Sequence, residues 1–115
     1  MNVQVQLFQA LGDPVRLRIV ESMKLKERAV GDICERVDIH QSGVSRHLRI
    51  LAGAGLVQMR PDGQKRLYSL RKEAFDQLEV WMAGYRRHWE ARLDRLGAAL
   101  EHRQSAIHTD PQEKP

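Results

Sequence analysis

Apolar positions recur along this chain in two different periods. Val3, Leu7, Phe8 and Leu11 share one helical face, which predicts a first helix from about Asn2 to Leu11 with Gly12 as its stop. Asp13-Pro14 then opens a second helix, because Asp13 can cap it and Pro14 suits the first helical position, where its missing N–H costs nothing. Val15, Ile19, Val20 and Met23 form the expected buried face of that helix, with Leu17 beside them. A short third helix is predicted over roughly Val30 to Val37, with Ile33, Cys34 and Val37 inward. Asp38-Ile39-His40 reads as a tight turn. A fourth helix follows from about Gln41 to Ala54, where Val44, Leu48 and Leu51 make a narrow apolar stripe. Gln41, Ser42, Gly43, Ser45, Arg46 and Arg49 occupy the opposite side. Two amphipathic helices joined by a three-residue turn, the second basic outside, predict a helix-turn-helix.

After Gly55 the period changes to two. Val57/Met59 and Arg66/Tyr68/Leu70 mark two short strands within LVQMR and KRLYSL. Between them Asp62-Gly63 is a hairpin signal, since the turn needs positive φ and glycine supplies it at little cost. Arg60, Lys65 and Arg66 flank that tip, so the hairpin reads as a basic wing. The period then returns to helical over about Lys72 to Arg103. Phe75, Leu78, Met82, Tyr85, Trp89, Leu93, Leu96 and Leu100 fall at spacings of 3, 4, 3, 4, 4, 3 and 4, close to a heptad seam. A helix of roughly 30 residues spans about 45 Å, longer than a body of this size covers. Its seam therefore predicts pairing with a second copy of the chain. The fold class expected is mostly α with a small β-hairpin wing: a winged helix-turn-helix domain over residues 1–103 with a long C-terminal dimerisation helix. Residues 104–115 (QSAIHTDPQEKP) lose the apolar period and read as a disordered tail.

Charge sharpens this picture. The whole chain of 115 residues carries a formal +4, but seven Lys/Arg against one acid between His40 and Lys72 make that segment +6 and the remainder −2. A localised basic stripe over a predicted helix-turn-helix and wing points to a polyanion, and double-stranded DNA fits best. Two Trp, two Tyr and two Phe are few for a protein that stacks single-stranded bases. No apolar run reaches the roughly 18–20 residues of a membrane span, and no export signal opens the chain, so a cytoplasmic protein is expected. A single cysteine, Cys34, excludes an internal disulfide framework and a cysteine-rich zinc site. No nucleophile with a base, no paired acids and no phosphate loop is evident, so an enzyme is not expected.

Three segments, FQALGDPVRLRIVESM, VGDICERVDIHQSGVSRHLRILAGAGLV and the PDG hairpin, resemble the ArsR/SmtB family of bacterial winged-helix repressors. The resemblance runs from about Leu7 to Leu100, and VSRHLRILAGAGLV is its most specific part. It implies a transcriptional repressor or autorepressor that is a homodimer, pairing through its first and last helices and placing each fourth helix in a major groove of an imperfect palindrome. Its two local departures are His40, where the family often has Ser or Thr, and Ser42-Gly43, where it often has a Pro-Thr pair. Ser42 is expected to take over capping, and Gly43 to let the backbone approach the DNA.

The expected DNA contacts are Gln41, Ser42, Gly43, Ser45, Arg46, His47 and Arg49 on the helix and Arg60, Lys65 and Arg66 on the wing. Arg46 or Arg49 can bond a guanine with two donors, or both can reach phosphates; His47, beside the stripe, either reads a base or bonds locally. The expected pairing surface is Leu7, Phe8, Phe75, Leu78, Met82, Tyr85, Trp89, Leu93 and Leu96. No metal or other cofactor is expected. Two of the three cysteine positions of the family's thiolate box are here Ala29 and Gly31, and Asp76 is followed by Gln77-Leu78 instead of the family's Asp-x-His. The competing readings are a helical interaction module, as in an anti-activator or antitoxin, and a ligand- or redox-responsive member of the same family.

Overall fold

A computed structural model describes residues 3–107. The order of elements is α1 (Val3–Leu11), α2 (Pro14–Ser22), β1 (Arg28–Ala29), α3 (Val30–Val37), α4 (Gln41–Gly53), β2 (Val57–Asp62), β3 (Lys65–Leu70) and α5 (Lys72–Ile107). The chain divides into two compact units at Leu78/Glu79, within α5.

In the first unit several helix ends have a local reason. The Asp13 carboxylate accepts the backbone N–H groups of Val15 and Arg16, both at 3.0 Å, and Pro14 opens α2. The backbone N–H of Arg16 is the main reason the Asp13 carboxyl sits below its ordinary value. Asp38 closes α3 in the left-handed region, at φ 56°, and its N–H bonds the Cys34 carbonyl at 2.9 Å. Gly55, at φ 83°, closes the turn after α4, where Leu56 N–H reaches the Leu51 carbonyl at 3.0 Å. The start of α4 differs from expectation: the His40 ring caps it, with Nδ1 accepting the Ser42 N–H at 3.2 Å. The Ser42 hydroxyl lies 3.0 Å from that same Nδ1, and it is His40, not Ser42, that caps the helix.

The core lies within the first unit. Leu7 and Ala10 of α1, Ile19, Val20 and Met23 from α2, Ile33 and Val37 of α3, and Val44, Leu48 and Leu51 of α4 bury together. Leu56, Val57, Ala74 and Leu78 complete it. Two expectations change here. Leu7, assigned above to the pairing surface, is 1% exposed and belongs to its own chain's core, and Leu78 is likewise buried. Leu17, expected beside the buried face of α2, is exposed, because that face needs only Ile19, Val20 and the half-buried Val15. Cys34 is half-buried against the core.

The sheet holds three strands, where the period-two pattern predicted two. The order is β1-β3-β2, antiparallel throughout. Two residues are too few to leave an alternation, so β1 was invisible in the sequence. The hairpin closes on the pair Asp62↔Lys65, leaving Gly63-Gln64 as its two loop residues, and Gly63 takes φ 63°. Pro61 is tolerated because β2 is an edge strand.

The second unit is the helix from Glu79 onward. Met82, Tyr85, Trp89, Leu93, Leu96 and Leu100 are each exposed by 47% or more. Trp81 and Tyr85 rings lie 4.7 Å apart, and Arg92 stacks 5.0 Å over Trp89. The helix runs to Ile107, so the tail expected from Gln104 is helical in its first residues; residues 108–115 lie outside the described ones. Among the described residues no helix is long and apolar enough to cross a membrane.

Candidate nucleic-acid interface

The exposed side of α4 follows from its buried stripe. With Val44, Leu48 and Leu51 fixed in the core, the helical period turns Gln41, Ser42, Arg46 and Arg49 to the surface. Gly43 has a packing reason: a Cβ there would meet Ile39 Cγ2 at 3.1 Å, so the glycine lets the preceding turn close onto the helix. Gln41, Ser45 and Arg49 are one turn apart each and line a groove of about 620 Å³. Its far wall is the hairpin, through Met59, Lys65, Arg66 and Tyr68. The structure thus brings five of the ten predicted contact residues, Gln41, Ser45, Arg49, Lys65 and Arg66, to one concavity. Ser42 and Arg46 sit on the neighbouring exposed strip of α4.

The cations of this surface have no internal acceptor. Among the described residues Arg46, Arg49, Lys65 and Arg66 make no ion pair and no side-chain hydrogen bond. That leaves three positive heads, from two elements, around one groove, with Arg46 on the strip of α4 beside it, open to a polyanion.

Two predicted contacts stand elsewhere. His47 is half-buried, and its Nδ1 faces the Arg16 guanidinium of α2 at 3.5 Å. Arg16 also donates to the Ala10 carbonyl at 2.7 Å and to that of Gln9 at 3.3 Å, so His47 joins a local latch between α1, α2 and α4. Arg60 pairs with Leu67 in the sheet, whereas the groove is lined from the adjacent Met59 and Arg66. Met59, Arg66 and Tyr68 alternate onto the groove face and Lys65 reaches the groove from the closing end of the hairpin, whereas Arg60 stands on the reverse face of the wing. There it grips Glu27: Nε donates to Oε2 at 2.9 Å and a second guanidinium nitrogen to Oε1. The Arg60 hydrogen bond holds the Glu27 carboxyl below its ordinary value of 4.5, and Glu27 in turn raises Arg60.

Sequence reasoning passed over Glu27 and Arg28, and it noted His40 without its capping role. For His40 the position just before a predicted helix was the available signal. Arg28, 8% exposed, donates to the Ser22 carbonyl and to Asp32 Oδ2 at 2.8 Å, while Arg36 takes the other oxygen of Asp32 at 3.1 Å. The two arginines, Arg28 foremost, hold the Asp32 carboxyl below its ordinary value. Among the described residues no group of three or more His, Cys, Asp or Glu is placed to hold a metal ion.

Comparison with known proteins agrees with this geometry. Residues 13–59 match the family model described as bacterial regulatory protein, arsR family. The chain is 33% identical over 86 residues to the HTH-type transcriptional regulator YceK of Bacillus subtilis, covering 73% of this chain and 83% of YceK. It is 32% identical over 79 residues to the transcriptional repressor SdpR of the same species, covering 69% of this chain and 88% of SdpR. The crystal structure of an ArsR family transcriptional regulator superposes with a TM-score of 0.69 at 25% identity, over 77% of this chain and 98% of that one.

Proposed function

Since this chain belongs to the arsR family of bacterial regulatory proteins and is a DNA-binding transcriptional regulator, not an enzyme, we propose how it represses. Two copies pair, each laying α4 in a major groove with its hairpin along the adjoining backbone. Bound over a promoter, the dimer blocks polymerase, in keeping with the repressor named among its relatives. The observation that carries this reading is the set of cations without internal partners among the described residues: Arg49, Lys65 and Arg66 line one groove, and Arg46 stands on the exposed strip of α4 beside it.

Base reading falls to the α4 side chains Gln41, Ser42, Ser45, Arg46 and Arg49, since each reaches solvent from the helix that fits a major groove. Lys65 and Arg66 take phosphates, which set register without reading sequence. Pairing falls to the exposed apolar residues of α5, Met82, Tyr85, Trp89, Leu93 and Leu96, together with Phe8 and the half-buried Phe75. An apolar stripe of that length is unfavourable in water and favours a second copy. Such a regulator works where the chromosome is, in the cytoplasm.

The test is selection of bound fragments from the host genome, followed by footprinting. The expected footprint is an imperfect palindrome whose half-sites lie about one helical turn, near 34 Å, apart. Protection of a single unpaired half-site would contradict the dimer, and no preference for any fragment over bulk competitor would contradict the function.

A further inference from the structure

We propose that Glu27 and Arg60 are positioning residues for DNA binding: their ion pair straps the wing hairpin to β1 and so holds Lys65 and Arg66 opposite α4. The proposal rests on the DNA-binding reading above and assigns Arg60 a role different from phosphate contact.

The sheet geometry carries it. Arg60 pairs with Leu67, and Leu67 with Ala29, so these three form one row across β2, β3 and β1. Gln58 and Ser69 form a neighbouring row, and by alternation they share the face of Arg60. The Gln58 amide donates to the Ser69 hydroxyl at 3.4 Å on that face. Glu27, one residue before β1, is the next member of that row. Strands lie about 4.8 Å apart, so β1 and β2 are roughly 9.6 Å apart with β3 between them. Only two long side chains meeting end to end cross that width. Glu27 and Arg60 do so, with both carboxylate oxygens and two guanidinium nitrogens engaged.

The strap matters because of what stands at its other end. A two-residue strand is a weak attachment for a hairpin. β1, however, is fixed from below by Arg28, which bonds the end of α2 and the first turn of α3. The helix-turn-helix therefore reaches the hairpin through Asp32, Arg28, Glu27 and Arg60 in sequence. Arg60 is turned from the groove and already held by a bidentate carboxylate, whereas Lys65 and Arg66 have no such partner among the described residues. A fork-to-fork pair also fixes orientation, which a single contact between two points does not.

The experiment measures equilibrium binding of the full chain to a selected duplex across a salt series, for four proteins beside the unsubstituted one. These are Glu27→Gln, Arg60→Gln, the combined Glu27→Arg with Arg60→Glu, and Lys65→Ala as a phosphate-contact control. Thermal midpoints are taken in parallel, and binding is read well below the lowest of them. The expected result is that each single change at the pair weakens binding about two- to fivefold with the salt slope unchanged. The charge-reversed pair recovers the loss, and Lys65→Ala lowers the slope by about 0.9 per protomer. If Glu27→Gln tightens binding while Arg60→Gln lowers the slope by about 0.9 per protomer, Arg60 is a phosphate ligand that Glu27 competes for, and the proposal is overturned. Binding by both single variants indistinguishable from the unsubstituted chain overturns it too. Failure of the underlying function looks different: the unsubstituted chain itself would show no duplex preference, and both readings would fall together.

Discussion

Around β1 every arginine ends on an acceptor: Arg28 on Ser22 and Asp32, Arg36 on Asp32, Arg60 on Glu27. On α4 and at the hairpin tip, Arg46, Arg49, Lys65 and Arg66 end on none among the described residues. The two regions lie in the same unit and draw on the same side chains. What separates them is whether the cation is engaged: even Lys65, paired across the hairpin with Asp62, makes no ion pair with it. A cation with an internal partner has its field cancelled locally and contributes to holding the scaffold. A cation without one is available to neutralise a phosphate, which releases counterions condensed on the DNA. The contrast sorts basic residues by role in a way that net charge never does.

The largest effect that tests this contrast is at its scaffold end. Arg28→Ala removes hydrogen bonds from a nearly buried cation, and a loss of roughly 2–3 kcal/mol in unfolding free energy is expected by thermal or denaturant melting. At a temperature where the variant is still folded, its salt slope for DNA should match that of the parent chain. At the groove end, Arg46→Ala should weaken binding by about 1–3 kcal/mol and relax base preference at one position per half-site. A uniform loss over all sequences would move Arg46 to the phosphate contacts. Lys65→Ala with Arg66→Ala should instead leave base preference intact and flatten the salt slope.

Smaller effects sharpen the boundary between the regions. His40→Ala removes the cap of α4 and should lower stability by about 1 kcal/mol, while His40→Asn, a good capping residue, should restore most of it. The weakest is a pH effect on the scaffold side. Asp32 and Glu27 titrate below their ordinary values of 3.8 and 4.5 in the fold, so their contribution is present above those values and is lost as the pH falls beneath them. Both are partly exposed, which keeps the effect small. Acid melts of Asp32→Asn should show a shallower decline as the pH falls below 3.8 than the parent chain. An unchanged acid limb would mean the pair contributes nothing measurable.

The helices, the hairpin and the cations of the groove were legible in the sequence because each has a local signature. Asp13-Pro14, the Val44, Leu48, Leu51 stripe and the glycine at 63 fix elements through neighbours a few residues away. What escaped was set by partners distant in sequence. The Glu27–Arg60 pair joins residues 33 apart, and the Arg16–His47 contact residues 31 apart. No periodicity records which face of a strand meets a carboxylate from another one. For the same reason Leu7 passed as a pairing residue: only the packed core shows that the chain itself covers Leu7 and Ala10 and leaves Phe8 exposed.

The central claim is that cations of α4 and the hairpin tip, left without internal partners, are the surface that meets DNA. Its most direct measurement is the affinity of the full chain for a selected duplex between about 50 and 200 mM salt, beside a variant carrying Arg46→Ala, Arg49→Ala, Lys65→Ala and Arg66→Ala together. The account predicts that the parent chain loses roughly 10³- to 10⁵-fold over that range, for about 6–10 phosphate contacts per dimer, and that the variant loses far less. A flat response in the parent chain, or an equally steep one in the variant, would contradict it.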